Sequence, residues 1–281
     1  MPETSTASLM RAATTTGRAI AAFNVITLEH AEAIAAAAER AAQPVIMQLS
    51  ENAIRYHGAV GPLASALHAL ASAARTPVAL HLDHIEDEEL LHHGVEAGFG
   101  SVMFDAGRLP YDANVSRTRT VAKNLRSLGI FTEAELGYVG GKATQVASAH
   151  APGVRTDPGQ ARDYVAATEV DALAVAVGSS HAMTEQTAAL DLALIERLRD
   201  RVPVPLVLHG SSGVPDLTLQ AAIRAGITKV NIGTALNVAF TAALKASLAA
   251  NDTVDPRKHL EAARARTADA VEQMLLTIAT A

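Results

Sequence analysis

A closed (β/α)8 barrel of the TIM type is the fold class this sequence predicts, and three observations predict it. Eight short apolar or β-branched runs recur along the chain, and Ala-, Leu- and Glu-rich stretches with helical spacing separate nearly all of them. The runs are continuously apolar, as strands covered on both faces by helices are. Eight such units between residues 19 and 234 fit closure into a barrel better than an open doubly wound sheet.

The runs, in order, are AIAAFNV (19–25), PVIMQLS (44–50), PVALHLD (77–83), SVMFDA (101–106), IFTEAELG (130–137), ALAVAVG (172–178), VPLVLHG (204–210) and KVNIGT (229–234). LEHAEAIAAAAERAA follows the first and PDLTLQAAIRAG precedes the eighth, both spaced as helices. Glycines in AGFGS, LGIFT and RAGIT close helices ahead of the next strand, where a left-handed residue ends a helix most easily. Residues 138–160, YVGGKATQVASAHAPGVRTDPGQ, have no clear period and are long for a strand-to-helix loop, as active-site lids are. The last stretch, KHLEAARARTADAVEQMLLTIA, is amphipathic and reads as a C-terminal helical extension that docks on the barrel or meets a partner. No linker divides the chain, so residues 1–281 are expected to form a single domain.

Composition narrows the function. The 281 residues are 49% hydrophobic and 19% charged, which suits a large buried core and excludes disorder. The absence of cysteine removes disulfides, thiolate catalysis and cysteine zinc sites, so a metal would have to sit on histidines and carboxylates. A net charge of −6 without clustered Lys and Arg argues against nucleic-acid binding. No run approaches the roughly 18 apolar residues of a membrane span, and the N-terminus lacks a signal-peptide core, so a cytoplasmic protein is expected.

The polar residues fall at the C-terminal ends of the strands or just beyond. Asp83 and His84 end the third, Asp105 ends the fourth, Glu133 and Glu135 lie in the fifth, and His181 follows the sixth. His209 ends the seventh, and Asn231 and Thr234 belong to the eighth. Those ends converge on one mouth, where barrels of this kind place their chemistry. Three histidines from three strands there can form a zinc tripod with an open fourth position, a set of donors better suited to zinc than to magnesium or calcium. Strand alternation puts His81 and Asp83 on one face and Leu82 and His84 on the other, so the HLDH tip is expected to serve two shells. His81 then orients Asp83 or simply packs. His30, His57, His68, His92, His93 and His259 have no comparable setting and are expected on the surface or in packing. HGSSG (209–213) and NIGT (231–234) place small residues ahead of helices, which exposes backbone N–H groups to an anion.

AFNV, QLSE, VALHLDH, EAELG, AVAVGSSH, VPLVLHGSSG and KVNIGT together resemble, in order and across essentially the whole chain, the motifs of the metal-dependent class II aldolases acting on fructose and tagatose bisphosphates. The resemblance implies zinc on His84, His181 and His209, with Asp105 and Glu135 as ligands of an alternative inward position. It implies Asp83 as the acid/base on the hydroxyl beside the cleaved bond. It also implies dihydroxyacetone phosphate held by Gly210, Ser212, Asn231, Gly233 and Thr234, and an aldehyde half facing Asn24 and Ser50. A monovalent cation near the phosphate, a homodimer or homotetramer, and an Arg257 that reaches a neighbouring subunit's substrate complete the expectation. No Schiff-base lysine is needed: Lys229 is read at the very start of the eighth strand, the wrong end for the mouth.

Three departures from the family pattern stand out. HAMTE puts Ala182 where the family usually has glycine, followed by Met183 and Glu185; GGKATQVASAHA lacks the acidic residues usual after GG, leaving His150 or water to move that proton; and Gly233 replaces a residue that helps sort substrates. They point to a ketose phosphate other than fructose bisphosphate. They also leave open a non-catalytic sugar-phosphate-binding subunit, and the barrel itself is compatible with a metal-dependent hydrolase.

Overall fold

A computed structural model of the chain describes residues 3–137 and 155–281. Most of the long loop expected at 138–160, His150 included, lies outside the described residues.

The chain opens with α1 (Thr6–Thr16), β1 (Ile20–Asn24), α2 (Leu28–Ala41) and β2 (Val45–Ser50). Next come α3 (Glu51–His57), α4 (Gly61–Ala73), β3 (Val78–Ile85), α5 (Glu88–Glu96), β4 (Ser101–Phe104), α6 (Tyr111–Ser127) and β5 (Phe131–Leu136). After these come α7 (Pro158–Thr168), β6 (Ala172–Val175), α8 (Leu192–Arg201), β7 (Leu206–Leu208), α9 (Asp216–Ala225), β8 (Ile227–Ile232), α10 (Thr234–Ala250) and α11 (Pro256–Ala279). A 3-10 turn, Ser211–Gly213, sits between β7 and α9. All strands are parallel and in sequence order, and β8 pairs with β1 through Ile20 and Lys229, closing the TIM barrel.

Side-chain alternation divides each strand into two cores. Outward positions such as Phe23, Met47, Leu82, Phe104, Leu173 and Ile232 are buried against the helical layer. Inward positions at the N-terminal end, Ile20, Ile46, Ala79, Ala172 and Val207, form a second apolar cluster with Leu9 and Met10 of α1. α1 therefore plugs the floor of the barrel, and Met10 is fully buried. Helix starts are set locally: Ser5, Ser50, Asp87, Asp157, Asp191 and Asp255 each accept a backbone N–H at the first turn that has no helical partner of its own.

α11 docks on its own barrel, against α2 and α10. Ala263, Thr267, Val271 and Leu275, spaced by four, are its buried stripe, and Arg40 bridges to Asp269 and Glu272 at the rim of that contact. No helix among the described residues is long and apolar enough to cross a membrane.

Candidate active site at the barrel mouth

The cavity at the C-terminal end of the strands measures about 540 Å³. Asn24, Ser50, Asp83, His84, Asp105, His181, His209, Gly210, Ser212, Asn231, Gly233 and Thr234, each singled out from sequence, line it. Glu135 lies within reach of the three histidines. Arg257 does not reach the cavity: it is 88% exposed and ion-paired with Asp255 at 2.7 Å.

The HLDH tip departs from the two-face expectation at one residue. Leu82 packs outward among the helices and His81 and Asp83 face inward, but the backbone at His84 adopts φ +50° and the β3–β4 register slips between Leu82 and Ile85. A left-handed residue reverses the alternation, at a cost of roughly 1–2 kcal/mol for a side chain with a β-carbon. The turn brings His84 into the same cavity as Asp83.

His84, His181 and His209 meet there, with ring centroids 4.7 to 5.7 Å apart. One donor atom from each, plus one from Glu135, lie within 4.8 Å of one another. The hydrogen bonds fix which ring atoms face the centre. Asp105 Oδ2 is 2.7 Å from His84 Nδ1, and Glu133 Oε1 is 3.0 Å from His209 Nε2. Carboxylates only accept, so those ring atoms carry the hydrogens of the neutral rings. That leaves the lone pairs of His84 Nε2 and His209 Nδ1 facing each other at 2.9 Å. Two facing acceptors at this distance repel unless a proton or a metal ion is shared between them. Neutral imidazoles backed by carboxylates, with a further imidazole and Glu135 at hand, are the donor set a divalent ion such as zinc takes. The residues fit a metal.

Asp83 is 4% exposed and held from two sides. Asn24 Nδ2 donates to its Oδ2 at 2.8 Å and Asn231 Nδ2 to its Oδ1 at 3.3 Å. Gln48, which sequence reasoning missed because it lies inside an apolar run, donates to Asn24 Oδ1 at 2.9 Å and so orients that amide. Burial pushes the Asp83 carboxyl up, but the electrostatics of the neighbouring His84, His209 and Lys229, with the Asn24 hydrogen bond, outweigh it and hold the pKa below the ordinary carboxylate value. Gly233 makes room for this arrangement: a β-carbon there would come within 2.9 Å of Asn24 Oδ1.

The two small-residue loops are tied together, since Ser212 Oγ accepts the Ala235 N–H of α10 at 3.1 Å. Gly210 has φ +67°, and a β-carbon on it would lie 2.5 Å from the Ser180 carbonyl oxygen, so only glycine lets this loop pass. Ala182 has a left-handed backbone, φ +59°, the conformation glycine adopts most readily, and is exposed. Ser50 serves as the N-cap of α3 as well as lining the cavity.

Lys229 requires a correction. β8 starts two residues earlier than expected, at Ile227, so Lys229 sits inside the strand with its side chain fully buried in the barrel. Thr228 and Lys229 had broken the apolar pattern and hidden the start. The remaining histidines are as expected. His92 and His93 are exposed, His57 bonds the Ile26 carbonyl, and His68 bonds Glu3. His259 bonds Ser247, and His30 stacks on Phe240 with a centroid distance of 4.6 Å.

Fold and site together define a parallel (β/α)8-barrel protein whose mouth gathers a His/Glu donor set that fits a metal ion. The family model for fructose-bisphosphate aldolase class-II matches residues 4–281, and the chain belongs to that family, which is generally metal-dependent and acts on sugar phosphates. Among solved structures, the YdjI aldolase from Escherichia coli K12 superposes with a TM-score of 0.86 at 30% identity, covering 99% of this chain and 97% of that one. A putative fructose-1,6-biphosphate aldolase from Coccidioides immitis gives 0.87 at 30% identity, covering 98% and 96%. The fructose-bisphosphate aldolase of Campylobacter jejuni shares the fold, with a TM-score of 0.82 at 21% identity over 99% and 96% of the two chains.

Proposed function

We propose that this chain is a zinc-dependent aldehyde-lyase that reversibly cleaves a ketose phosphate, a 1-phosphate or a 1,6-bisphosphate, to dihydroxyacetone phosphate and an aldehyde. The observation that carries the reading is the pair of lone-pair atoms, His84 Nε2 and His209 Nδ1, facing each other at 2.9 Å with His181 and Glu135 beside them.

His84, His181 and His209 hold the ion, and Asp105 and Glu135 offer it an alternative inward position. When bound, zinc supplies Lewis acidity toward a substrate carbonyl. Asp83, kept ionised and aimed by Asn24 and Asn231, takes the proton of the hydroxyl on the aldehyde side of the scissile bond. The carbon–carbon bond breaks as that carbon becomes the aldehyde carbonyl. Its electron pair stays on the ketose fragment, which leaves as dihydroxyacetone phosphate once its carbon gains a proton. Backbone N–H groups of Gly210, Ser212, Gly233 and Thr234, at the 3-10 turn and the start of α10, bind the phosphate, and a monovalent cation beside it is part of the same reading. Asn231 lies between the two halves, donating to Asp83 and within 3.5 Å of His209 Nδ1.

Asn24 and Ser50 face the aldehyde. Glu51 and Glu86 also line that end, and Arg108 beside them is paired with Glu86 at 3.3 Å. Glu51 is likewise paired with Arg55 at 2.8 Å, so both arginines here are already compensated, which favours an uncharged aldehyde and hence a ketose 1-phosphate. Arg257, turned away from its own cavity, serves a neighbouring subunit of a homodimer or homotetramer, whose mass sedimentation would report.

Purified protein is expected to carry about one zinc per chain and to lose retro-aldol turnover on chelation. Asp83→Asn is expected to keep the metal and lose about 10²- to 10⁴-fold in kcat. A His209→Ala chain that is active without metal refutes the proposal. A panel of aldehydes offered with dihydroxyacetone phosphate identifies the second substrate, and exclusive use of glyceraldehyde 3-phosphate refutes the ketose 1-phosphate preference. The competing reading, a sugar-phosphate-binding subunit without turnover, is favoured by the methyl of Ala182 where the family usually has glycine. It predicts thermal stabilisation by ligand with no product from any member of the panel.

A further inference from the structure

Beneath the mouth lies a polar chain that the proposed reaction does not use. Lys229 Nζ is 2.7 Å from Glu133 Oε2, and both side chains are fully buried. The other carboxylate oxygen of Glu133 is the one that holds His209 Nε2 at 3.0 Å. Lys229 also lies 3.3 Å from His81 Nε2, whose Nδ1 is 2.8 Å from Ser101 Oγ, and Thr6 Oγ1 of α1 reaches the same hydroxyl at 2.7 Å. A hydrogen-bonded chain thus runs from the floor helix to His209.

We propose that Lys229 is a positioning residue for the metal centre. It holds Glu133 by Oε2 and so turns Oε1 to accept from His209, which fixes His209 in the tautomer whose Nδ1 lone pair faces the ion.

The donor logic along the chain allows one assignment. An ammonium only donates, so His81 Nε2 accepts and His81 Nδ1 carries the hydrogen given to Ser101. Complete burial keeps His81 neutral. Lys229 and Glu133 are therefore the ion pair of this polar chain, at 2.7 Å. Without the ammonium on Oε2 the carboxylate is free to turn, and His209 then loses the fixed acceptor that selects its tautomer. The spatial order matters as well: Glu133 and Lys229 come from β5 and β8, so the pair spans the barrel interior and packing alone does not dictate it. Replacing such a pair with apolar groups often leaves a fold as stable as before, which argues that this one is kept for orientation.

The inference rests on His209 as a metal ligand, and the test separates the two. Zinc affinity is measured by chelator competition on the full chain, wild type and variants, with histidine 15N spectra of the metal-free protein reporting the His209 tautomer. In Glu133→Gln, Lys229 claims the amide oxygen and turns the NH2 toward His209, which forces the hydrogen onto Nδ1. Affinity is expected to fall by about 100-fold, the upper end for loss of a ligand's orienting partner. Adding Lys229→Met frees the amide to rotate its oxygen back, so the double variant is expected to regain at least about tenfold of that loss and the wild-type tautomer. A role in packing alone predicts the opposite order, with the double variant the weaker. If the double variant binds no better than Glu133→Gln, the role of Lys229 is refuted. A wild-type chain that takes up no zinc refutes the metal reading instead. Should the variants not fold, the wild-type spectra still decide: a His209 hydrogen on Nδ1 overturns the proposal.

Discussion

The two ends of the barrel interior are built from the same strands two or four residues apart, yet they do opposite work. At the floor, β1, β2, β3 and β7 turn Ile20, Ile46, Ala79 and Val207 inward against Leu9 and Met10 of α1. At the mouth, the same strands or the residues just past them present Asn24, Ser50, Asp83 and His209 to the cavity. One layer lies between, where Gln48, His81, Glu133 and Lys229 are polar but completely dry. Floor and mouth share the same strands, and apart from the register slip and left-handed turn at His84 the difference is one of chemistry. An apolar plug supplies the stability, and that lets the mouth hold like-charged carboxylates, a left-handed histidine and facing lone pairs that would destabilise a self-standing site.

The comparison breaks most visibly at the floor. Met10→Ala removes a fully buried side chain from the plug, and about 2–5 kcal/mol of stability is expected to go with it. Denaturant unfolding of the metal-free chain reads that loss, while kcat and KM measured below the new melting point are expected to stay unchanged. A comparable fall in kcat would mean that floor and mouth are not separable.

The mirror experiment lies at the mouth. Gly233→Ala puts a β-carbon 2.9 Å from Asn24 Oδ1, so Asn24 has to shift and with it the hydrogen bond that aims Asp83. A displacement of a few tenths of an ångström at the base is expected to lower kcat by roughly tenfold, within the range that small misplacements of reacting groups cause. The melting temperature is expected to move little, because the substitution fills the cavity edge without opening the core. Unchanged kcat would show that Asn24 does not aim the base.

The same contrast explains what could be read in advance. Outward and floor positions are mostly apolar, so the strands and the barrel they close were legible from runs such as VPLVLHG. The mouth residues were legible because polar groups at the C-terminal ends of apolar runs have few other reasons to be there. Three features were hidden for physical reasons. The left-handed turn at His84 depends on a register slip against β4, which alternation within one strand does not encode. The start of β8 was masked because Thr228 and Lys229 interrupt hydrophobicity, and a buried lysine makes sense only beside Glu133, which is distant in sequence. The plug α1 reads as an ordinary terminal segment, since Leu9, Met10 and Ala13 form a short stripe that gains meaning only under a barrel.

The smallest effect concerns Ala182, where the mouth carries strain that the floor does not. Its φ of +59° costs roughly 1–2 kcal/mol for any residue with a β-carbon. Ala182→Gly relieves that strain but adds about 0.5–1 kcal/mol of chain entropy to be lost on folding. The exposed methyl forfeits almost no packing when removed. The balance favours glycine by up to about 1.5 kcal/mol, which for a chain of this size amounts to a rise in melting temperature of up to about 3 °C. If phosphate approaches the backbone here, as the family pattern implies, the same change is also expected to lower KM for dihydroxyacetone phosphate without raising kcat, because the contact is present in ground state and transition state alike. A gain in stability with KM unmoved would place the phosphate on the Gly210 and Thr234 loops alone; a loss of stability would show that the left-handed turn is held by contacts of the alanine itself.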